Sequence, residues 1–350
     1  MHDIAQSILQ ALDEKRQIDP ISQSLPSLDL DTAYGIADAI LATRSARGQR
    51  PVGWKIGFTN RTIWDEYGVH APIWGPVYDA TVLPVDPDHA PAELDIEAFV
   101  EPRIEPEIIF RLAHTPRSEM DDRELLACID GVSHGFEIVQ SIFPGWRFSA
   151  ADTVAAAALH GALVHGPFAS IDHSKAGEWI DRLAAVAITL LKDGTVLDHG
   201  VATNVLDGPL SALRHFLAGL EARPLGRGVL PGDLVSTGTI TRAFPIAAGE
   251  IWSTQIDGLP LPAMRLKLFG GTATLDRLID TAAQGRFHLE NPDSCTDSKQ
   301  YEQKVAEGTD AEAMLAKLLH RDPLALAQAR HRIEADAQSR LRAWKQHLSP

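Results

Sequence analysis

Apolar and polar positions alternate with two different periods along the chain. Near the start, Ile4, Ile8, Leu9 and Leu12 recur at helical spacing, and so do Ala33, Ile36, Ala37, Ile40 and Leu41 up to Gly48. A Pro- and Ser-containing loop separates them, and Asp29 or Asp31 is placed to cap the second helix. Val52 to Thr59 then switches to strand-like alternation and carries a single lysine, Lys55. Residues 60–80, rich in Trp, Tyr, Gly and Pro, read as a lid-like loop, and residues 86–95 as a connector.

The pattern becomes dense in strands after that. Arg103 to Phe110, Phe136 to Val139, Ala185 to Leu191, Leu234 to Thr239, Ile251 to Ile256 and Met264 to Phe269 all read as strands, many bounded by Gly or Pro. Helices are expected over 118–130, over the Ala-rich stretch 152–164 and over 204–220. Many strands with few crossover helices predict an α+β, β-rich mixed fold rather than a doubly wound one. Residues 293–308 read as a polar linker. Beyond it, Thr309 with Glu312 makes a capping box, and Met314, Leu315, Leu318 and Leu319 form an apolar stripe. A second helix from Pro323 carries Leu326, Ile333, Leu341, Trp344 and Leu348, and the hairpin needs a partner for its apolar side. The expected division is an N-terminal mixed helical region over 1–80, a catalytic domain over 81–292 and a helical extension over 293–350.

Composition narrows the function. The chain has 350 residues and a net charge of −15, which argues against a nucleic-acid or anionic-membrane surface. Cys128 and Cys295 form no spacing motif, as in a reduced, cytoplasmic protein. No apolar run approaches the roughly 18 residues of a membrane span, and the first residues have neither the basic nor the apolar region of a signal peptide.

The candidate chemistry lies in Arg103-Ile104-Glu105-Pro106-Glu107-Ile108-Ile109-Phe110. On a strand, Glu105 and Glu107 project from one face about 7 Å apart, where like charges repel unless a cation lies between them. A solvated amphipathic face is the bland alternative. Glu137 is a third lone acid in an apolar run. Three carboxylates suit Mg²⁺ or Mn²⁺, and no Cys/His cluster suits zinc. Gly131-Val132-Ser133-His134-Gly135 has the letters of a nucleophile elbow, but a helical pattern precedes it and a strand follows, the reverse of what that motif requires. His160 and His165 have no third ligand at metal spacing and read as core or loop histidines.

Five segments taken in order resemble the 2-keto-4-pentenoate hydratase / 4-oxalocrotonate decarboxylase family of the fumarylacetoacetate-hydrolase superfamily. They are Gly53-Trp54-Lys55-Ile56-Gly57-Phe58-Thr59, Pro102 to Phe110, Phe136-Glu137-Ile138-Val139, Asp152-Thr153-Val154-Ala155, and Leu230-Pro231-Gly232-Asp233-Leu234-Val235-Ser236-Thr237-Gly238-Thr239. The resemblance spans about residues 5–275 and implies a fold of the fumarylacetoacetate-hydrolase type. It implies Mg²⁺ or Mn²⁺ on Glu105, Glu107 and Glu137, a substrate-side lysine at Lys55, a lid-side catalytic acid at Asp79 and a substrate-binding hydroxyl at Thr239. The implied reaction is hydration of a 2-hydroxy-2,4-dienoate by a homo-oligomeric enzyme of aromatic catabolism. The alternatives are an oxalocrotonate-type decarboxylase, a fumarylacetoacetate-type C–C hydrolase, whose lid His–Glu pair is not evident around Asp65, Glu66 and His70, or a non-catalytic partner subunit. Relatives continue with Asp-Ser-Arg where this chain has Gln140-Ser141-Ile142, and with Asp-Asn where it has Ala156-Ala157.

Overall fold

The computed structural model describes residues 1–86, 91–223, 227–270, 272–295, 298–319 and 323–348. They form two compact units, Met1–Leu268 and Phe269–Pro350. In the first unit, α1 (His2–Asp13) buries Ala5, Ile8, Leu9 and Ala11. After the single turn α2 (Ile21–Ser24), α3 (Leu30–Ala46) starts at Asp29, whose side chain accepts from the Thr32 amide at 2.8 Å. The apolar stripe read from the sequence is the buried face of α3. Four shorter helices follow, α4 (Trp64–Tyr67), α5 (Asp122–Ala127), α6 (Ala150–Ala155) and α7 (Ala176–Ala185), and then α8 (Pro209–Ala222).

Among the described residues, fourteen strands lie between these helices. They are β1 (Pro51–Gly57), β2 (Ile73–Tyr78), β3 (Val82–Pro84), β4 (Ala92–Asp95), β5 (Arg103–Leu112), β6 (Ile129–Val139), β7 (His160–His165), β8 (Ala169–Ser170), β9 (Ala187–Lys192), β10 (Thr195–Val201), β11 (Leu234–Thr239), β12 (Phe244–Pro245), β13 (Ile251–Asp257) and β14 (Arg265–Phe269). The larger sheet runs β2-β1-β11-β5-β6-β7-β3, with β12 added to β5 and β8 to β6. The smaller runs β10-β9-β13-β14-β4. β1 is parallel to β11, while β5 is antiparallel to both its neighbours, β11 and β6. One core gathers Trp54, Trp74, Ile108, Phe110 and Val132 with Ile8, Ile36 and Phe216 of the helices. A second gathers Ile104, Phe136 and Ile138 of the large sheet with Leu190, Trp252 and Leu266 of the small one.

Several expectations are corrected. Residues 1–80 are not a separate region: β1 and β2 belong to the large sheet. Residues 73–78, expected as loop, form a strand buried at every position, and a strand covered on both faces shows no alternation to read. The expected helix over 152–164 stops at Ala155. Ala157, Ala158 and Leu159 take left-handed φ values of +54°, +54° and +61°, and His160 opens β7. Alanine favours helix only weakly against the pairing that β6 and β3 offer β7. The helix expected over 118–130 is confined to α5, and Ile129 already belongs to β6. The G-x-S-x-G letters lie inside β6, where the buried Ser133 donates to the Gly166 carbonyl at 2.8 Å.

The second unit begins near residue 269, not 293. It consists of α9 (Thr272–Glu290), α10 (Ser298–Leu318) and α11 (Pro323–Leu348). Ile279, Ala282, Ala283 and Phe287 pack on Ala311 and Leu315, and on Ala329, Ile333 and Ala337, so α9 supplies the apolar face that the hairpin needs. Most of the expected linker is helical, because Lys, Gln and Glu are strong helix formers as well as polar. Thr309 lies inside α10 and donates to the Val305 carbonyl instead of capping, while Glu312 pairs with Arg286 of α9 at 2.6 Å. The side chains of Met314, Leu318 and Leu348 lie outside the described residues. Among the described residues no helix is long and apolar enough to cross a membrane.

Candidate metal and substrate site

The site is built where four strands of the large sheet run side by side. Antiparallel pairing of β5 with β6 sets Glu105 opposite Glu137 and Glu107 opposite Gly135. Glu105 and Glu107 share a face by the two-residue period of β5. Register therefore converges all three carboxylates, which offer ligand atoms within 4.8 Å of one another. From β1, Lys55 reaches over, with Nζ 3.1 Å from Glu137 and 4.0 Å from Glu105. Between them runs β11, whose Ser236 is in register with both Lys55 and Ile109.

Each carboxylate is held differently. Glu107 and Glu137 are fully buried, whereas 16% of the Glu105 side chain is exposed. One oxygen of Glu107, Oε2, accepts from the Ser236 hydroxyl and from the Gly238 amide. That amide is presented by a bulge in β11, where Gly238 has φ +103°; a Cβ there would stand 2.1 Å from Thr59 Oγ1, so only glycine fits. The other oxygen, Oε1, is buried with no partner. Glu137 Oε1 accepts from His160 Nδ1 at 2.9 Å, and His160 Nε2 meets the Thr81 hydroxyl at 2.8 Å. Glu137 Oε2 faces the Lys55 ammonium without hydrogen-bond geometry. Behind β5, buried His134 donates from Nδ1 to the Glu107 carbonyl at 3.1 Å and pins the backbone there.

The charges follow from this packing. Burial pushes the Glu105 carboxyl up to about 7, against the pull of Lys55 and with Glu137 adding to it. Burial and the charges of Glu137 and Glu105 hold Glu107 well above the ordinary carboxylate range. Burial also opposes the charge on Glu137, but Lys55 and His160 overcome it and hold Glu137 low. Burial opposes the Lys55 ammonium too, and the three glutamates outweigh it and raise its pKa. Burial lowers the pKa of His160 against the pull of the Glu137 carboxylate. In the absence of a cation the cluster is thus short of positive charge. Its orphaned, oxygen-only donors fit a hard divalent ion.

Above the carboxylates opens a cavity of about 470 Å³, within the range of small-molecule sites. Lys55, Glu105 and Thr239 line it; Thr239 pairs with Glu107 across β11 and β5. Phe58, Tyr67, Phe148 and Trp146 form one wall, with successive ring centroids 4.9, 5.8 and 5.9 Å apart. The left-handed Ala158 and Leu159 form part of another. Asp79 is not brought to this site. It follows β2, outside the cavity lining, where Oδ1 accepts from the amides of Arg50 and Ala80 and Oδ2 lies 3.6 Å from Arg50 Nε. A short acid after a strand end turns the chain there. Asp65 and His70 are also outside the cavity lining, and the Glu66 side chain lies outside the described residues.

Sequence reasoning missed His160 as a partner of Glu137, Ser236 and the Gly238 amide as partners of Glu107, and the aromatic wall. The glycine after Thr237 was a legible sign of special backbone; the others needed the sheet order.

No family model matches the chain. It is 30% identical over 262 residues to 2-hydroxyhexa-2,4-dienoate hydratase of Comamonas testosteroni, covering 73% of this chain and 92% of that protein. It is also 30% identical over 259 residues to 2-keto-4-pentenoate hydratase of Paraburkholderia xenovorans (strain LB400), covering 73% and 91%. Among solved structures, 4-oxalocrotonate decarboxylase from Pseudomonas putida G7, complexed with magnesium and adipate, matches with a TM-score of 0.68 at 25% identity, over 77% of this chain and 97% of that one.

Proposed function

The chain belongs to the 2-keto-4-pentenoate hydratase family of the fumarylacetoacetate-hydrolase superfamily, and from that membership we infer a hydro-lyase of aromatic catabolism that hydrates a 2-hydroxy-2,4-dienoate. The product is a 4-hydroxy-2-oxo acid. The observation that carries this reading is the convergence of Glu105, Glu107, Glu137 and Lys55 at the base of a cavity sized for a small acid.

Glu105, Glu107 and Glu137 are the residues that would hold Mg²⁺ or Mn²⁺. When bound, the cation supplies Lewis-acid stabilisation of negative charge developing on the substrate's C2 oxygen. Lys55 remains charged between its carboxylates and holds the C1 carboxylate of the substrate. The same ammonium lies in the cavity lining, where it can relay a proton. Thr239 offers a hydroxyl at the cavity surface for a substrate oxygen. The aromatic wall orients the diene; a proton is delivered to C5 as the C2 enol becomes a ketone, and water then adds its oxygen at C4 with a proton going to C3. Asp79 takes no part in this account, given its place outside the cavity.

Two free cysteines, one of them buried, agree with a cytoplasmic enzyme, and the family resemblance carries the expectation of a homo-oligomer, which light scattering tests. The deciding experiment follows the ultraviolet absorbance of 2-hydroxypenta-2,4-dienoate with purified protein and Mg²⁺. Loss of the dienol, abolished by EDTA and giving 4-hydroxy-2-oxopentanoate by mass spectrometry, is the expected result. No loss while Mg²⁺ is bound overturns it, and release of CO₂ from 4-oxalocrotonate would then move the assignment to the decarboxylase.

A further inference from the structure

A second cavity, of about 260 Å³, lies beside His160, whose Nδ1 meets Glu137 and whose Nε2 meets Thr81. Among the described residues it shares none of the lining of the cavity above the glutamates. Its polar lining is Asp13, Arg44, Tyr78, Thr81, Gln140 and His160. The left-handed turn before β7 is a partition: Ala156 and Ala157 line this cavity, and Ala158 and Leu159 line the other. Gln140 and Ala156-Ala157 are also where relatives carry an acid and an Asp-Asn pair. Both departures therefore leave the same cavity without the acids those positions would supply.

Thr81, Gln140 and His160 already have partners. Tyr78 does not: its side chain is buried, with 2% of the residue exposed, and its hydroxyl has no hydrogen-bond partner among the described residues. Burial pushes that phenol up to about 12, so it keeps its proton and can donate throughout the neutral range. Arg44 of α3 lies on the same ring, with its guanidinium carbon 5.0 Å from the ring centre. Its Nη1 donates to Gln49 Oε1 at 3.0 Å, while its Nε is buried without an acceptor among the described residues, and burial works against its charge. Asp13, the acid of the lining, is taken by Arg47 at 2.7 Å. An unpaired buried O–H and an unpaired buried N–H each cost free energy that an anionic acceptor recovers. Leu12, Leu83 and Phe99 complete the lining, so the cavity suits a ligand with an apolar body better than a bare inorganic ion.

We propose that this cavity is a binding site for a short aliphatic monocarboxylate, held by the Tyr78 hydroxyl and Arg44 Nε, with its apolar chain against Leu12, Leu83 and Phe99. Both donors belong to one contact, a guanidinium on the ring that carries the hydroxyl, so an acceptor with two oxygens can serve both. The site is independent of the reaction proposed above. Its ligand is neither the substrate nor a partner of the metal, and it lies against the Thr81–His160 pair that holds Glu137.

The test is binding to the full-length protein in EDTA, which leaves the catalytic cavity without a cation to chelate a carboxylate. Calorimetry compares butyrate with butan-1-ol, which share a four-carbon chain and differ in the carboxylate. Butyrate is expected to bind saturably and butan-1-ol at least about tenfold more weakly, the scale of a hydrogen bond to a charged group. Tyr78→Phe removes only the unpartnered oxygen. It is expected to weaken butyrate at least about tenfold and yet, without butyrate, to melt at or above the wild-type temperature, which separates lost binding from lost fold. Arg44→Gln is expected to weaken butyrate likewise, and Lys55→Met to leave its binding unchanged. The proposal is overturned by an absence of saturable binding, by equal binding of butan-1-ol, or by a butyrate affinity that follows Lys55 and not Tyr78. Failure of the hydratase reading leaves this site untouched, because no arm of the test requires turnover.

Discussion

Glu105 and Glu137 are cross-strand neighbours on β5 and β6, and the single ammonium of Lys55 stands 4.0 Å from one and 3.1 Å from the other. One lysine thus faces carboxylates with opposite tendencies, since Glu137 is held low and Glu105 is pushed up to about 7. Replacing Glu105 by Gln separates function from stability. A glutamate whose pKa is higher in the folded state loses stability as pH rises from its ordinary value, near 4.5, to about 7. Above pH 7 the metal-free Glu105→Gln protein is therefore expected to be the more stable one, by about 1–3 kcal/mol. It is also expected to bind Mg²⁺ at least tenfold more weakly. Thermal melts with and without Mg²⁺ at pH 8 measure both, and an unchanged Mg²⁺ affinity would remove Glu105 from the ligand set.

Cation binding is expected to expel protons. Burial pushes Glu105 up to about 7 and holds Glu107 well above the ordinary carboxylate range, so the metal-free cluster carries protons that a divalent ion must displace. Mg²⁺ affinity should fall as pH drops from 8 to 6, by up to about tenfold per unit for each proton displaced. Calorimetry in two buffers of different ionisation enthalpy counts those protons directly. A flat affinity over this range would contradict the raised pKa values.

His160 is expected to act on the ion without touching it. It orients Glu137 through Nδ1, and the Thr81 hydroxyl fixes its ring from the other side. Outer partners of this kind contribute about 10–100-fold to metal affinity. His160→Ala should weaken Mg²⁺ binding by that factor, His160→Asn should recover part of it, and Thr81→Val should cost less. Equal affinities across the three variants would reduce His160 to a packing residue.

Lys55→Met should separate binding from chemistry in the other direction. Removing a cation from among three carboxylates favours a metal ion electrostatically, so Mg²⁺ affinity at pH 8 is expected to hold or rise. Hydration is expected to slow by at least about 100-fold, the scale of a lost proton carrier. Should affinity and rate fall together, Lys55 would be an organiser of the carboxylates instead.

The parts of the site that sequence made legible are those a strand's period encodes. Glu105 and Glu107 share a face because they are two residues apart, and Lys55 stands out as the lone charge in an alternating run. Glu137 was visible as an isolated acid, but its place opposite Glu105 depends on the register of β6, which the letters do not state. His160 was hidden by its context. Four alanines before it look helical, and nothing in Ala157-Ala158-Leu159 announces three left-handed residues in a row. Asp79, the lid-side acid that the family resemblance implied, instead accepts from the Arg50 and Ala80 amides just after β2, because chain position does not say which way β2 leads. The helical unit was misjudged at its N-terminal edge for a similar reason, since exposed helix and polar linker use the same residues.

The parallel pairing of β1 with β11 brings together residues more than half the chain's length apart, Lys55 and Ser236. The last strand to be synthesised in this part of the sheet also carries the groups that grip Glu107. A nascent chain that ends before residue 234 holds all three glutamates and the lysine, yet not the strand that spaces them. Closing so long a loop is slow, and it comes before any reward from the contacts it creates. A divalent ion on the three glutamates would therefore find its complete site only once β11 has joined β1 and β5, and until then the β11-side edge of β5 lacks its partner.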